Sequence, residues 1–289
     1  MSTVKDRRSA PKAERAPTIT RDVDQWIYDG NIHICRGSIG RKSHAYWIED
    51  EAGENHAQSY APGEKLCPGV TTILKRLDKP ALITWAAGAA AGYIEDYYRE
   101  GMSRDEMSAL CGEAAGAHCR ISRAAADKGT MVHGYAEQIL RQRIARKDER
   151  VLLPANADDA VVNACMAFER WLDEHDVTPF DGGLERPVYS KRWHFAGTAD
   201  FFGMVDGLLV VGDFKTSKGV YLEHKLQLAA YGIAIEEELD KAINGRLIVR
   251  FSKETGEFEA HLMSRDKTAE DAFLRCHEMH QLLNKMEAA

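Results

Sequence analysis

Apolar residues in the first half of the chain are spaced for helices. The segment 68–98 combines that spacing with many small residues, which allow close packing, and Pro80 stands where a helix would begin. Helical spacing continues through 104–145 and 157–175 and is interrupted around Pro154. This part of the sequence therefore predicts a mostly helical wrapper.

Two shorter stretches precede these helices. Apolar and polar residues alternate from Trp26 to Ile48, with Asp29-Gly30 between apolar residues, and this pattern predicts short antiparallel strands. Residues 1–22 are rich in Lys, Arg, Ala and Pro and have no apolar periodicity, so we expect a mobile basic tail there.

After Pro179 the pattern changes from helices to strands. The segments "GGLERPVYS", "WHFAGTADFFGMV", "LLVVGDFKT" and "GRLIVRF" are short and rich in β-branched and aromatic residues, and Leu222–Leu239 between the last two has the pattern of a helix. A strand, a helix and a returning strand form a crossover unit. The predicted fold class is α/β, as an α+β mixed sheet. The predicted parts are the tail 1–22, strands and wrapper 23–178, and a core sheet with C-terminal helix 179–289.

One predicted hairpin places two carboxylates next to each other. Asp206-Gly207 is a favoured two-residue turn of type I′, because Asp tolerates and Gly accepts positive φ values. With that turn, the numbers of every directly opposed pair add to 413, so Asp200 faces Asp213. Lys215 lies two residues beyond Asp213 and shares its face. The three side chains are therefore expected to converge.

Two interpretations of this convergence stay open from the hairpin alone. Opposed like charges beside an apolar strand destabilise a sheet unless something positive lies between them. Lys215 can neutralise the pair in a structural salt-bridge cluster. Alternatively, Asp200 and Asp213 hold Mg²⁺ or Mn²⁺, which prefer oxygen ligands, and Lys215 positions a water or stabilises a phosphoryl oxygen.

Composition narrows the class of protein. The chain has 289 residues, of which 44% are hydrophobic and 29% charged, as in folded soluble proteins. Its net charge of −7 argues against a protein that coats nucleic acid but is compatible with a local basic groove. Lys75, Arg76, Arg120, Arg123 and Lys128 either line such a channel or form solvated helix faces.

Cysteines and long apolar segments add two expectations. The 6 cysteines include no CxxC pair, so neither a zinc ribbon nor a disulfide framework is indicated. The sequence has no apolar run of about 18 residues and no apolar core of a secretory signal near its first residue. We therefore expect a cytoplasmic protein without a membrane partner.

Four motifs in order resemble the PD-(D/E)XK nuclease superfamily. Gly197-Thr198-Ala199-Asp200 and Asp213-Phe214-Lys215 match its D…(D/E)xK signature. The segment from Gln227 to Tyr231 is similar to the QxxxY motif of the RecB-type exonuclease branch, which includes mitochondrial genome-maintenance exonucleases. "KGTMVHGYAE", with His133, resembles the histidine motif of that branch. Each motif is weak alone, and their ordered combination is much more specific.

The resemblance implies a site, residue by residue. Asp200, Asp213 and Lys215 would be catalytic, with the metal held by both aspartates, His133 and the backbone carbonyl of Phe214. Glu185, on the strand before the hairpin, is a looser candidate for a further metal ligand. Residues expected to support Lys215 or contact the DNA backbone are Gln227, Tyr231, Thr216, Ser217 and Lys218.

The resemblance also implies a restriction-endonuclease-like core, one or two Mg²⁺ or Mn²⁺ ions as cofactor, and DNA ends, single-stranded or duplex, as the ligand. Several relatives bind an iron–sulfur cluster through one cysteine upstream of the histidine motif and three clustered after QxxxY, but here only Cys276 follows Tyr231, so no cluster is expected. The function expected is a DNA exonuclease of phage, recombination or repair pathways, working beside a single-strand annealing protein. The alternatives are an endonuclease of the same superfamily and a DNA-end-binding protein without catalysis.

Overall fold

The computed structural model describes residues 19–39, 42–50, 59–61, 64–65, 67–147 and 149–288. It divides the chain into two units, Met1–Cys67 and Pro68–Ala289. Of the predicted tail 1–22, residues 1–18 lie outside the described residues, and the remainder belongs to the first strand. The boundary predicted between residues 178 and 179 lies inside a strand and does not separate two units.

The first unit contains the predicted antiparallel strands. Strands β1 (Ile19–Ile27), β2 (Ile32–Ile39) and β3 (Lys42–Asp50) pair in that order. Positive φ values at Asp29 and Gly30 confirm the predicted turn between β1 and β2. A two-stranded ribbon of β4 (Ser59–Ala61) and β5 (Glu64–Lys65) follows.

The second unit begins with five helices and continues with a sheet, as the change of pattern near Pro179 predicts. Pro80 stands at the first position of its helix, where the missing N–H costs no hydrogen bond. The elements are α1 (Val70–Leu74), α2 (Pro80–Tyr97), α3 (Arg104–Ala115), α4 (Ala117–Ala145), α5 (Asp159–Glu174), β6 (Val177–Ser190), β7 (Phe195–Val205), β8 (Leu208–Lys215), α6 (Leu222–Leu239), β9 (Gly245–Phe251), β10 (Phe258–Met263) and α7 (Lys267–Glu287).

The sheet of the second unit has the order β10-β9-β8-β7-β6. Strands β8 and β9 are parallel and joined by α6, whereas the other neighbours are antiparallel. The predicted mixed α/β class and the crossover unit are therefore confirmed. Among the described residues, no helix is both long and apolar enough to cross a membrane.

Helices cover both faces of this sheet. On one face, Phe168 and Trp171 of α5 pack with Phe201, Phe214 and Phe251, and α4 adds further buried residues to the same cluster. The other face packs against α1, α6 and α7. Because α4 and α5 share a core with the sheet, they belong to the same unit as the sheet, which is why the boundary predicted at residues 178 and 179 does not separate units.

Candidate metal centre

The hairpin between β7 and β8 has the predicted turn and register. Asp206 and Gly207 have φ values of 50° and 77°, as a type I′ turn requires. Five pairs, from Val205 with Leu208 to Phe201 with Gly212, lie opposite each other, and the numbers of each pair add to 413. The predicted register is confirmed for these pairs.

The described ladder ends one pair before Asp200 and Asp213. Instead of facing Asp213 in a ladder pair, Asp200 accepts the backbone N–H of Phe214 through its Oδ2 at 2.7 Å. A buried carboxylate is stabilised by such a donor, whereas two like charges held directly opposite each other repel. The carboxylate of Asp200 thus accepts an N–H that, in a regular ladder, would be donated to a backbone carbonyl.

Strands β6 and β7 both change the face they present at this point. Along β7, Ala199 belongs to the cluster beneath α6, but Phe201, two residues on, belongs to the cluster beneath α4. Glu185 lies between residues of β6 that pair with these two and has a φ of 48°, a left-handed conformation uncommon for a residue other than glycine. Because of this irregularity, the side chains of Glu185 and Asp200 depart from the regular alternation between the two faces of the sheet.

His133, Glu185 and Asp200 form a candidate metal centre. One ligand atom from each residue lies within 4.8 Å of the others, and all three side chains are partly buried. Nδ1 of His133, on α4, lies 3.6 Å from Oδ2 of Asp200. Two carboxylates and one imidazole are a donor set that suits a divalent cation. The residues present therefore fit the expected ion. Glu185, a looser candidate from the sequence, belongs to the same group of ligand atoms as Asp200.

Asp213 and Lys215 form a second group beside this centre. Asp213 is 1% exposed, and its Oδ2 pairs with the ammonium of Lys215. Among the described residues, that oxygen accepts no hydrogen bond besides this ion pair. The structure thus groups Asp200 with His133 and Glu185, and Asp213 with Lys215, and metal binding by Asp213 stays a prediction.

The pKa values of the site link the two groups electrostatically. Burial raises the pKa of Asp200 to about 6, against the favourable charge of His133 and with a further increase from Asp213. Burial alone would lower the pKa of Lys215, but the carboxylates of Asp213 and Asp200 outweigh burial and raise it. Lys215 therefore stays protonated at neutral pH, and a further positive charge near Asp200 would favour the ionised form of its carboxylate.

Helix α6 carries the predicted supporting residues. Nε2 of Gln227 donates to the hydroxyl of Tyr231 at 2.7 Å, so the two residues share a helical face as their spacing predicts. Tyr231 is buried against Gly197 of β7, where a β-carbon would lie 2.4 Å from the ring. Gly197 thus allows α6 to approach the strand that carries Asp200.

His224, on the same helix, was not predicted from the sequence. Burial and the charge of Lys215 lower its pKa, and Asp213 opposes this change. Its Nδ1 accepts the backbone N–H of Tyr221, which ties the side chain to the start of α6. In the sequence, His224 lies three residues before Gln227, a spacing that places both on one helical face. This spacing is the sequence signal that could have marked His224 as a site residue.

The remaining predicted residues follow the end of β8. Thr216 reaches α4, since a β-carbon at Gly129 would lie 3.3 Å from its Oγ1. Ser217 donates its hydroxyl to the carbonyl of Gly219, and Lys218 is exposed. The main chain of Phe214 is engaged through its N–H, and metal binding by its carbonyl stays a prediction.

Comparison with known proteins identifies no family for the chain. No protein-family model matches it, and no curated protein matches it. The crystal structure of SSO0001 is 16% identical, aligns over 53% of this chain and 74% of that chain, and has a TM-score of 0.26. Similarity at this level supports no conclusion on fold or function.

Proposed function

We propose that this chain is a Mg²⁺- or Mn²⁺-dependent deoxyribonuclease that hydrolyses phosphodiester bonds at DNA ends. The observation that carries this function is the meeting of His133, Glu185 and Asp200 beside the buried pair of Asp213 and Lys215. The order of the same residues along the chain resembles the RecB-type branch of the PD-(D/E)XK superfamily, and the mixed sheet is compatible with that core.

The residues of the chain supply binding, orientation and charge. His133, Glu185 and Asp200 would hold the ion, and Asp213, whose charge acts on Asp200, would add a ligand or compensate the charge of the ion. When bound, the ion polarises the phosphate and lowers the pKa of a water. Lys215 keeps its proton beside the carboxylates, so its ammonium can orient that water or stabilise charge on a phosphoryl oxygen.

Helix α6 supports this chemistry through its contact with β7, the strand that carries Asp200. Gln227 and Tyr231 brace each other and fix the position of the helix against β7. Thr216, Ser217 and Lys218 follow Lys215 directly and offer hydroxyl and ammonium groups to a phosphate. A single-strand annealing protein as partner, and a role in recombination or repair, follow from the resemblance alone.

Lys215→Ala tests the function directly. The purified chain is expected to degrade end-labelled linear DNA with Mn²⁺ or Mg²⁺ and to lose that activity with EDTA. Lys215→Ala should reduce the rate at least roughly 100-fold, because it removes the only cation paired with Asp213 among the described residues. Lys285→Ala, an exposed lysine of α7, is the matched control and should keep the wild-type rate. Equal rates for wild type and Lys215→Ala would contradict the role of this lysine.

A further inference from the structure

Arg250 stands beside the proposed catalytic lysine at the carboxyl ends of two parallel strands. Lys215 of β8 and Arg250 of β9 are paired residues. Paired residues of neighbouring strands lie about 4.8 Å apart and point to the same face of the sheet. Ile248, two residues before Arg250, packs in the cluster on the face covered by α6, so Arg250 and Lys215 both lie on that face.

Each of these two cations has a carboxylate of its own. Lys215 pairs with Asp213 on the same strand. Nη2 of Arg250 pairs with Glu259, which lies opposite it on β10. Arg250 therefore does not compete with Lys215 for Asp213, and its charge is balanced beside the proposed catalytic group.

The connection between β8 and α6 is tied to β9 by Arg250. Residues 216–221 form this connection and follow Lys215 directly. Nη1 of Arg250 donates to the carbonyl of Ser217 at 3.3 Å, and the hydroxyl of Ser217 donates to the carbonyl of Gly219 at 2.8 Å. A guanidinium presents its N–H groups in a rigid fork, so one side chain can hold a carboxylate and this carbonyl at once. We call residues 216–221 the anchored loop.

The stability of the fold does not by itself account for an arginine at position 250. The side chain of Arg250 is 15% exposed, and among the described residues its buried Nε has no acceptor. A buried N–H without an acceptor destabilises a fold, and apolar residues of similar volume can replace a buried ion pair without loss of stability. What an apolar residue cannot replace is the hydrogen bond to the anchored loop.

We infer that Arg250 is a positioning residue of the proposed nuclease, which holds the anchored loop where its polar groups meet a DNA phosphate next to Lys215. The groups that contact the phosphate are the exposed ammonium of Lys218 and the hydroxyl of Thr216. Arg250 itself does not touch the substrate and acts through these groups. This inference rests on the proposed function for its substrate and deepens it, because it names the residue that fixes the loop.

Digestion with trypsin tests whether Arg250 holds the loop, without DNA or metal. Lys218 is the trypsin site of the anchored loop, and cleavage requires the chain around it to leave its place. Arg250→Met removes the guanidinium and keeps an unbranched side chain, so in EDTA it should raise the rate of cleavage after Lys218 at least roughly tenfold. Mass spectrometry of the fragments identifies the cleaved bond. Equal rates in wild type and Arg250→Met would overturn the inference.

Arg275→Met is the matched control for the loss of an arginine. Arg275 of α7 pairs with Glu278 at 2.9 Å, and its side chain is 82% exposed. The variant should be cleaved after Lys218 at the wild-type rate. Equal acceleration in Arg275→Met and Arg250→Met would show that any lost ion pair loosens the loop and would contradict the role of Arg250.

The kinetics of DNA cleavage test whether the anchored loop serves the substrate. On linear DNA with Mn²⁺, Arg250→Met should raise KM roughly tenfold and leave kcat within about twofold, the pattern of a variant that binds the ground state and the transition state equally less well. Isothermal titration calorimetry should give the Mn²⁺ affinity of wild type, because Arg250 is no part of the candidate metal centre. A wild-type KM in a variant that still cuts DNA would overturn the inference and leave the nuclease standing.

A double-mutant cycle tests whether Arg250 acts through Lys218. Residues that act through one another have effects that do not multiply, whereas the effects of independent residues do. In a protein that already carries Lys218→Ala, adding Arg250→Met should therefore raise KM by less than about threefold. A further tenfold rise in the double variant would contradict an action through the loop.

A second variant covers the case in which Arg250→Met does not fold. Arg250→Lys keeps the positive charge, but one ammonium cannot hold the carboxylate of Glu259 and the carbonyl of Ser217 in the same geometry, so KM should still rise at least about threefold. An unchanged KM and an unchanged trypsin rate in Arg250→Lys would overturn the inference. Faster cleavage after Lys218 in the variants of a chain that cuts no DNA would support the anchored loop and contradict the nuclease.

Discussion

Asp200 has the most perturbed carboxylate of the candidate centre. Its pKa is about 6 because burial disfavours the ionised form more than the charges of His133 and Lys215 favour it. In the unfolded chain the group returns to about 3.8. Below about pH 3.8 both states hold the proton and Asp200 costs nothing. Between about pH 3.8 and about 6 the unfolded chain ionises Asp200 while the folded protein keeps it protonated, so the free energy of unfolding falls by up to about 3 kcal/mol, and the loss is complete above about pH 6.

We therefore expect Asp200→Asn to stabilise the metal-free protein at neutral pH. In EDTA, urea unfolding of wild type should show a loss of stability between about pH 4 and about pH 7 that the variant lacks. The two stabilities should converge near about pH 4, where wild-type Asp200 is protonated. Parallel pH profiles for the two proteins would contradict the raised pKa.

Glu185 is the second unusual residue of the centre. A left-handed conformation costs a residue with a β-carbon about 1–2 kcal/mol, and strained backbone tends to be retained where it places a functional group. Here the strain coincides with the change of face in β6 and with the meeting of Glu185, His133 and Asp200. We interpret it as the means by which a strand residue joins the metal centre.

At the scale of elements, the contact between α6 and β7 sets the position of Gln227 and Tyr231. A β-carbon at Gly197 would lie 2.4 Å from Tyr231, closer than packed atoms approach. Gly197→Ala must push the tyrosine ring away, together with the side chain of Gln227 that it holds.

We expect Gly197→Ala to lower the free energy of unfolding by about 1–3 kcal/mol, the usual range for overpacking a core. Gly88→Ala is the matched control, because a β-carbon at this position on α2 meets nothing within 4 Å. It should raise stability by about 0.5–1 kcal/mol through helix propensity. Chemical denaturation measures both changes, and a neutral Gly197→Ala would contradict the close contact.

At the scale of the whole molecule, the centre depends on packing within the second unit. His133 comes from α4, Glu185 and Asp200 from neighbouring strands, and the cluster around Phe168 and Phe214 holds the helix against the sheet. Every described residue of the centre lies within Pro68–Ala289.

The fragment Pro68–Ala289 is accordingly expected to unfold in one cooperative transition and to bind Mn²⁺ as the full chain does. Differential scanning calorimetry and isothermal titration calorimetry measure these two properties. A Mn²⁺ affinity more than tenfold below that of the full chain would show that the centre needs more than this unit.

Local patterns determined much of the fold. Helical spacing with Pro80 at a start, the apolar strands after Pro179 and the Asp206-Gly207 turn each depend on interactions within a few residues, so the sequence predicts them. The hairpin register follows from the turn, because side chains alternate along both strands. For this reason the sequence predicts Asp200, Asp213 and Lys215 as neighbours.

The grouping of the charges was decided by tertiary structure. The local register pairs Asp200 with Asp213, but the left-handed Glu185, the N–H of Phe214 and His133 from a distant helix draw Asp200 into another group. The predicted boundary near residue 178 fails for a related reason, since a core shared by helices and sheet leaves no local mark on the sequence. Contacts between residues far apart in the chain depend on how whole elements pack, and no local pattern encodes that packing.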